Sequence, residues 1–136
     1  MIQPIIHDES FLQKKSSKAT NKDQSVIQDL KDTLKAHSHE CVGMAANMIG
    51  QLKTIIIVHT EVEDLILVNP KIIKKSNPYT TKEGCLSLQG ERETKRFDYI
   101  EVEYLTEKFT KKRTKFAGFT AQIVQHEIDH CSGILI

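Results

Sequence analysis

Hydrophobic and polar residues alternate along the chain in patterns that predict helix, then strands, then helix. In "NKDQSVIQDLKDTLKAH" (21–37), Val26, Ile27, Leu30 and Leu34 recur at three- and four-residue spacing, the period of an amphipathic helix. Asn21 or Asp23 can cap its start. "KTIIIVHT" (53–60) is a β-branched run and predicts a buried strand. "LILVNPKII" (65–73) predicts a strand pair interrupted at Asn69-Pro70, a dipeptide suited to an edge or a bend. "FDYIEVEYL" (97–105) sets Ile100, Val102 and Tyr104 against Tyr99, Glu101 and Glu103, a period-two strand with one wet face. "TKKRTKF" follows as its hairpin partner. In "GFTAQIVQHEIDHCSG" (118–133), Phe119, Ile123, His126 and His130 form one helical stripe directed inward, and Gly133 can end the helix. The fold class expected is α+β: antiparallel-rich β-sheets packed around the C-terminal helix, with a further helix near the N-terminus.

Composition changes this picture little. The 136 residues form one domain-sized chain, read as a single domain over 1–136, with 39% hydrophobic and 27% charged residues. Nineteen basic against eighteen acidic side chains give a net charge of +1, which argues against nucleic-acid binding by bulk charge. The local run "KKRTK" (111–115) reads as a solvated strand or hairpin rim. No apolar run approaches the roughly 20 residues of a membrane span. No basic segment followed by an apolar one opens the chain, so no secretory signal is expected. Three cysteines, Cys41, Cys85 and Cys131, are too few and odd in number for a disulfide framework, which suits a reducing cytoplasm.

The candidate chemistry lies in "HEIDH" (126–130). Two histidines four apart on a helix can hold one ion, and Glu127 projects beside its open position, where it can take a proton from water. A catalytic site of this kind needs a third protein ligand. Cys85 in "EGCLS" (83–87) is the best candidate. Cys131 sits about 100° round the helix from His130 and is awkwardly placed, and Cys41 stays open on sequence alone.

"EGCLS" followed by "QHEIDH" (125–130) resembles the peptide deformylase family, and "CVGMAANMIG" (41–50) resembles that family's remaining motif, G-x-G-x-A-A-x-Q. "LVNPKI" and "GFTAQIVQHE" extend the likeness along nearly the whole chain. The resemblance implies that Cys85, His126 and His130 bind one divalent metal, Fe²⁺ in the cell or Zn²⁺. It implies that Glu127 is the general base and that the Leu86 backbone N–H donates to the oxyanion. Val42 and Gly43 would bind substrate, which the resemblance makes the N-formylated end of nascent bacterial polypeptides. The implied activity is formyl removal with release of formate, in the cytoplasm, with a transient ribosome contact as a further implied partner and neither membrane nor direct nucleic-acid binding expected. Gln125, Asp129 and Glu83 are candidates for orienting the ligands.

The first motif departs from the family. Its first glycine is Cys41 and its oxyanion glutamine is Met48, which has no donor. Two outcomes follow: a deformylase of reduced activity, or a relative that binds metal or peptide without useful turnover. Asn47 on a regular strand would face away from Met48; a bulge that brings it round and a water held at the metal site are the two ways the donor could be replaced. Gln89, Gln122 and Cys131 also differ from the family's usual residues, and Arg92 and Arg96 both lie where its members carry arginines, at a spacing ambiguous by one residue, so neither is assigned to the site.

Overall fold

The computed structural model describes residues 1–136. A four-residue helix α1 (Glu9–Leu12) and a 3-10 turn (Asn21–Asp23) precede α2 (Gln24–Ala36). The Asp23 carboxylate accepts from Thr20 N–H at 2.8 Å, so it closes the preceding turn rather than capping α2 by its side chain. The strands follow as β1 (Gly43–Ala45), β2 (Ile55–His59), β3 (Asp64–Cys85), β4 (Leu88–Leu105) and β5 (Lys111–Ala117), with α3 (Gly118–Cys131) last. A 3-10 turn over Ala46–Ile49 joins β1 to the rest. The fold is α+β, as the pattern predicted.

The strands form one antiparallel sheet in the order β1-β2-β3-β4-β5. Strands β3 and β4 are long and bend at register shifts. Asn69-Pro70 is one of those bends, not a break between two strands. Asn69 takes φ +50° there, and its side-chain amide both accepts from and donates to the backbone of Ala19. Isoleucines 55–57 and Val58 are fully buried, so β2 lies at the centre of the core. Ile100, Val102 and Tyr104 face that core, and the Tyr104 hydroxyl meets Thr114 Oγ1 at 2.9 Å.

Two expectations need correction. Glu101 was placed on the wet face, yet it is buried, because Lys74 and Lys115 pair beside it on the neighbouring strands and Arg113 lies 3.9 Å away. Phe119 was placed on the inward stripe, yet it is 64% exposed. The first turn of α3 extends beyond the packed sheet, so the inward stripe begins only at Ala121. Two residues past the end of α3, Gly133 takes φ +77°. A Cβ there would stand 2.3 Å from Gln13 O, so glycine also permits the α1 end to pack against the helix terminus. No helix is long and apolar enough to cross a membrane.

Candidate metal centre and active site

The β3–β4 hairpin brings one half of the site to the other. Its two-residue turn, Leu86-Ser87, directly follows Cys85, which pairs with Leu88 at the hairpin end. Helix α3 carries His126 and His130 one turn apart against this hairpin. The Cys85 Sγ lies 3.2 Å from His130 Nε2, which lies 3.2 Å from His126 Nε2. The three donor atoms all fall within 4.8 Å of one another. Cys131 is buried but outside this group, and Cys41 hydrogen-bonds instead to Gly43 O at 2.9 Å.

The donor chemistry fits a divalent ion. His126 Nδ1 is 2.8 Å from the Glu83 carboxylate, an acceptor, so Nδ1 carries a proton and Nε2 is free to be a ligand. His130 is fully buried and its Nδ1 has no protein partner. Burial, reinforced by His126, lowers its pKa to about 3, so the ring is neutral, the form that ligates. Burial opposes charge on His126, but hydrogen bonds to Cys85 and Glu83 outweigh it and raise its pKa to about 10, so without an ion Nε2 holds a second proton, which a bound cation would displace to make Nε2 a ligand. Thiol, two imidazole Nε2 atoms and a buried carboxylate in one place form a soft, partly anionic cradle suited to zinc or ferrous iron.

Around the ligands lies a buried polar network. Arg96 donates to both Glu83 oxygens, at 2.9 and 2.8 Å, and to Asp129 at 2.7 Å. Gln122 donates to Glu83 at 2.9 Å. Burial raises the Glu83 pKa, but bonds from His126, Arg96 and Gln122 more than offset this and hold it at about 2. Glu83 therefore remains an anion that fixes the His126 ring. Asp129 acts at one remove, through Arg96. Gln125 does not touch a ligand; it clamps the Phe97 backbone N–H and C=O at 2.8 Å each and so ties α3 to β4.

Glu127 is buried, lines the cleft, and its Oε1 has no hydrogen-bond partner. Burial is the main cause that raises its pKa to about 7, where a carboxyl can both take and give a proton near neutrality. Gly43 makes room for it: a Cβ there would come within 2.6 Å of Ile123 Cγ2 and 3.0 Å of Glu127 Oε2. The cleft has a volume of about 570 Å³, and Val42, Gly43, Met48, Leu86 and Phe119 are among its walls.

The first motif is only partly a strand. Asn47 and Met48 stand in the 3-10 turn after β1 and are both buried, but they diverge. The Asn47 Nδ2 donates to the His130 carbonyl at 3.0 Å, under the helix end, while Met48 faces the cleft. Sequence reasoning missed Arg96 as the buried arginine, Gln122 as a Glu83 donor, and Phe119 as a cleft wall. Alternation along β4 puts Arg96 in phase with Ile100, Val102 and Tyr104, although Arg92 shares that phase and only its exposure sets it apart.

Three side chains able to hold one divalent ion, beside a buried carboxylate in an open cleft, describe a metal-dependent hydrolase. The polypeptide deformylase family model matches residues 2–136. A peptide deformylase of Clostridium beijerinckii is 53% identical over 136 residues, covering all of both chains. A class I type b peptide deformylase from Acinetobacter baumannii superimposes with a TM-score of 0.89 at 30% identity, over 99% of this chain and 97% of that one. The same enzyme bound to Met-Ala-Ser gives 0.88 at 28% identity, over 99% and 97%. The chain belongs to the polypeptide deformylase family, the hydrolases that remove the formyl group from N-formylated peptides and release formate.

Proposed function

We infer that the protein deformylates N-formylmethionyl ends of nascent polypeptides with Cys85, His126 and His130 as metal ligands and Glu127 as general base. The observation that carries this is the convergence of the three donors, within 4.8 Å, next to a buried carboxylate with a free oxygen. The ion implied is ferrous iron in the cell, with zinc also accepted, since one thiolate and two imidazoles suit both. When bound, such an ion supplies Lewis acidity, which makes hydroxide available from water near neutral pH.

The chain's own groups supply the rest. Edge strand β1 lines the cleft, so an extended peptide can add along Val42 and Gly43 as a further strand. Glu127 accepts the proton of the attacking water as its oxygen bonds to the formyl carbon. The Leu86 N–H, which donates to no other group in the protein, stabilises the developing oxyanion. Glu127 then delivers its proton to the amine nitrogen as the C–N bond breaks, leaving formate and a free peptide. Met48 offers no second donor, so the turnover is slower than a glutamine would allow. Met-Ala-Ser, held by the solved relative, is the peptide that formyl-Met-Ala-Ser would leave behind. A cytoplasmic location and a transient ribosome contact go with this substrate.

The ligand assignment is tested by metal content. Native protein loaded anaerobically with Fe²⁺ or Zn²⁺ is expected to retain about one ion per chain through desalting, while Cys85→Ser retains less than a tenth of that. Full retention by Cys85→Ser, with loss in Cys41→Ser instead, would move the third ligand to Cys41.

A further inference from the structure

We propose that His7 is a positioning residue for the oxyanion donor, acting as half of a clasp that holds the two sides of the oxyanion site together. The proposal rests on the role assigned above to the Leu86 N–H. Leu86, half-buried, and Ser87, buried, form the two-residue tip of the β3–β4 hairpin above the Cys85–Leu88 pair. The Leu86 N–H is free of protein acceptors. The tip is also held from 80 residues away: the His7 Nδ1 stands 3.0 Å from the Ser87 carbonyl. A carbonyl only accepts, so Nδ1–H is the donor. One residue earlier, the Ile6 N–H donates to the Met48 carbonyl at 2.8 Å.

Two consecutive residues of the N-terminal segment thus grip both walls of the cleft, Met48 on one side and the Leu86-Ser87 tip on the other. The segment is itself anchored, since Gln3 N–H donates to Thr33 Oγ1 of α2 at 2.9 Å. With no side-chain donor at position 48, the Leu86 N–H is the chain's remaining donor to the oxyanion, and its direction matters correspondingly more. A hydrogen bond to Ser87 O fixes the peptide plane that follows Ser87 and, through the short tip, the one that precedes Leu86.

His7 is exposed, so its replacement leaves the core intact. The test uses the full chain with His7→Ala, and His7→Asn, whose amide Nδ2 can donate in the same place. With formyl-Met-Ala-Ser and Fe²⁺-loaded protein, His7→Ala is expected to lower kcat about three- to tenfold, the worth of one hydrogen bond, with KM within about twofold. His7→Asn restores most of it. In a Met48→Gln background, where a second donor is present, the same substitution costs less than about twofold. In zinc-loaded protein the ¹⁵N order parameters of Leu86 and Ser87 fall below the rigid value of about 0.85 in His7→Ala, with Tm unchanged. Unchanged order parameters overturn the clasp, as does an equal loss of kcat in the Met48→Gln background. If the native chain has no turnover at all, the deformylase assignment fails by itself, and the order parameters still decide whether His7 holds the tip.

Discussion

Glu127→Gln is expected to abolish nearly all formate release, by about 10²–10⁴-fold in kcat, while metal content stays at the native level. The substitution keeps the shape of the side chain and removes only its ability to take a proton. Glu127 is not among the three converging donors, so the ion should remain. Its burial leaves no bulk water to take over the proton, and its Oε1 has no competing protein partner. Gly43 packs closely against it, since a Cβ there would stand 3.0 Å from Glu127 Oε2, and this limits the carboxylate's movement. The check is paired: formate release together with metal analysis on the same sample. Loss of metal in parallel with activity would make Glu127 a structural support of the ligands rather than the base.

Arg96→Met should be the most destabilising of the site substitutions, by about 3–5 kcal/mol in chemical denaturation. Arg96 is 4% exposed and holds Glu83, itself 6% exposed, through two hydrogen bonds, with Asp129 as a third acceptor. Removing the guanidinium leaves Glu83 buried without its counter-charge. The cost is therefore that of an unpaired buried anion, not the small value of a surface pair. A second effect follows along the chain Arg96–Glu83–His126. With Glu83 no longer fixed, His126 loses part of its orientation, and metal affinity should fall by about 10–100-fold. An affinity loss without destabilisation, or the reverse, would uncouple the two roles. Arg92→Met serves as the control: it is partly exposed and bonds only to the Gln89 carbonyl, so its effect should be within about 0.5 kcal/mol.

What could be read in advance follows the strength of local constraint. Helix α3 and the spacing of His126, Glu127 and His130 were legible because three- and four-residue periodicity and the metal-site pattern coincide on one segment. Strand β2 was legible from its β-branched run. The outer half of the β3–β4 hairpin was not. Residues 74–96 are polar, contain Asn77, Pro78, Gly84 and Gly90, and pair chiefly with one another, so burial imposes no alternation on them. That stretch nevertheless carries Glu83, Cys85, Leu86 and Arg96. The local pattern likewise misled at Phe119, which shares the helical stripe of Ile123 and His126 but lies past the edge of what the sheet covers. Glu101 was misread because alternation says which face a residue joins, not that lysines across two neighbouring strands will enclose that face. Asn47 and Met48 do diverge, but through a 3-10 turn that no strand pattern predicts. The contact of His7 with the Ser87 carbonyl joins residues 80 apart and has no local signature at all.

With Cys85, His126 and His130 as the proposed ligands and Glu127 as the proposed base, this chain is expected to hydrolyse a formyl amide although Met48 replaces a glutamine. The most direct measurement is the initial rate of formate release from formyl-Met-Ala-Ser by native protein loaded anaerobically with Fe²⁺, beside Met48→Gln. The native chain is expected to release formate steadily over multiple turnovers, and Met48→Gln to be faster by up to about 10²-fold, as a second oxyanion donor is restored. A native chain that binds its ion but releases no formate, with activity appearing only in Met48→Gln, would contradict that expectation and identify a deformylase fold used for binding instead.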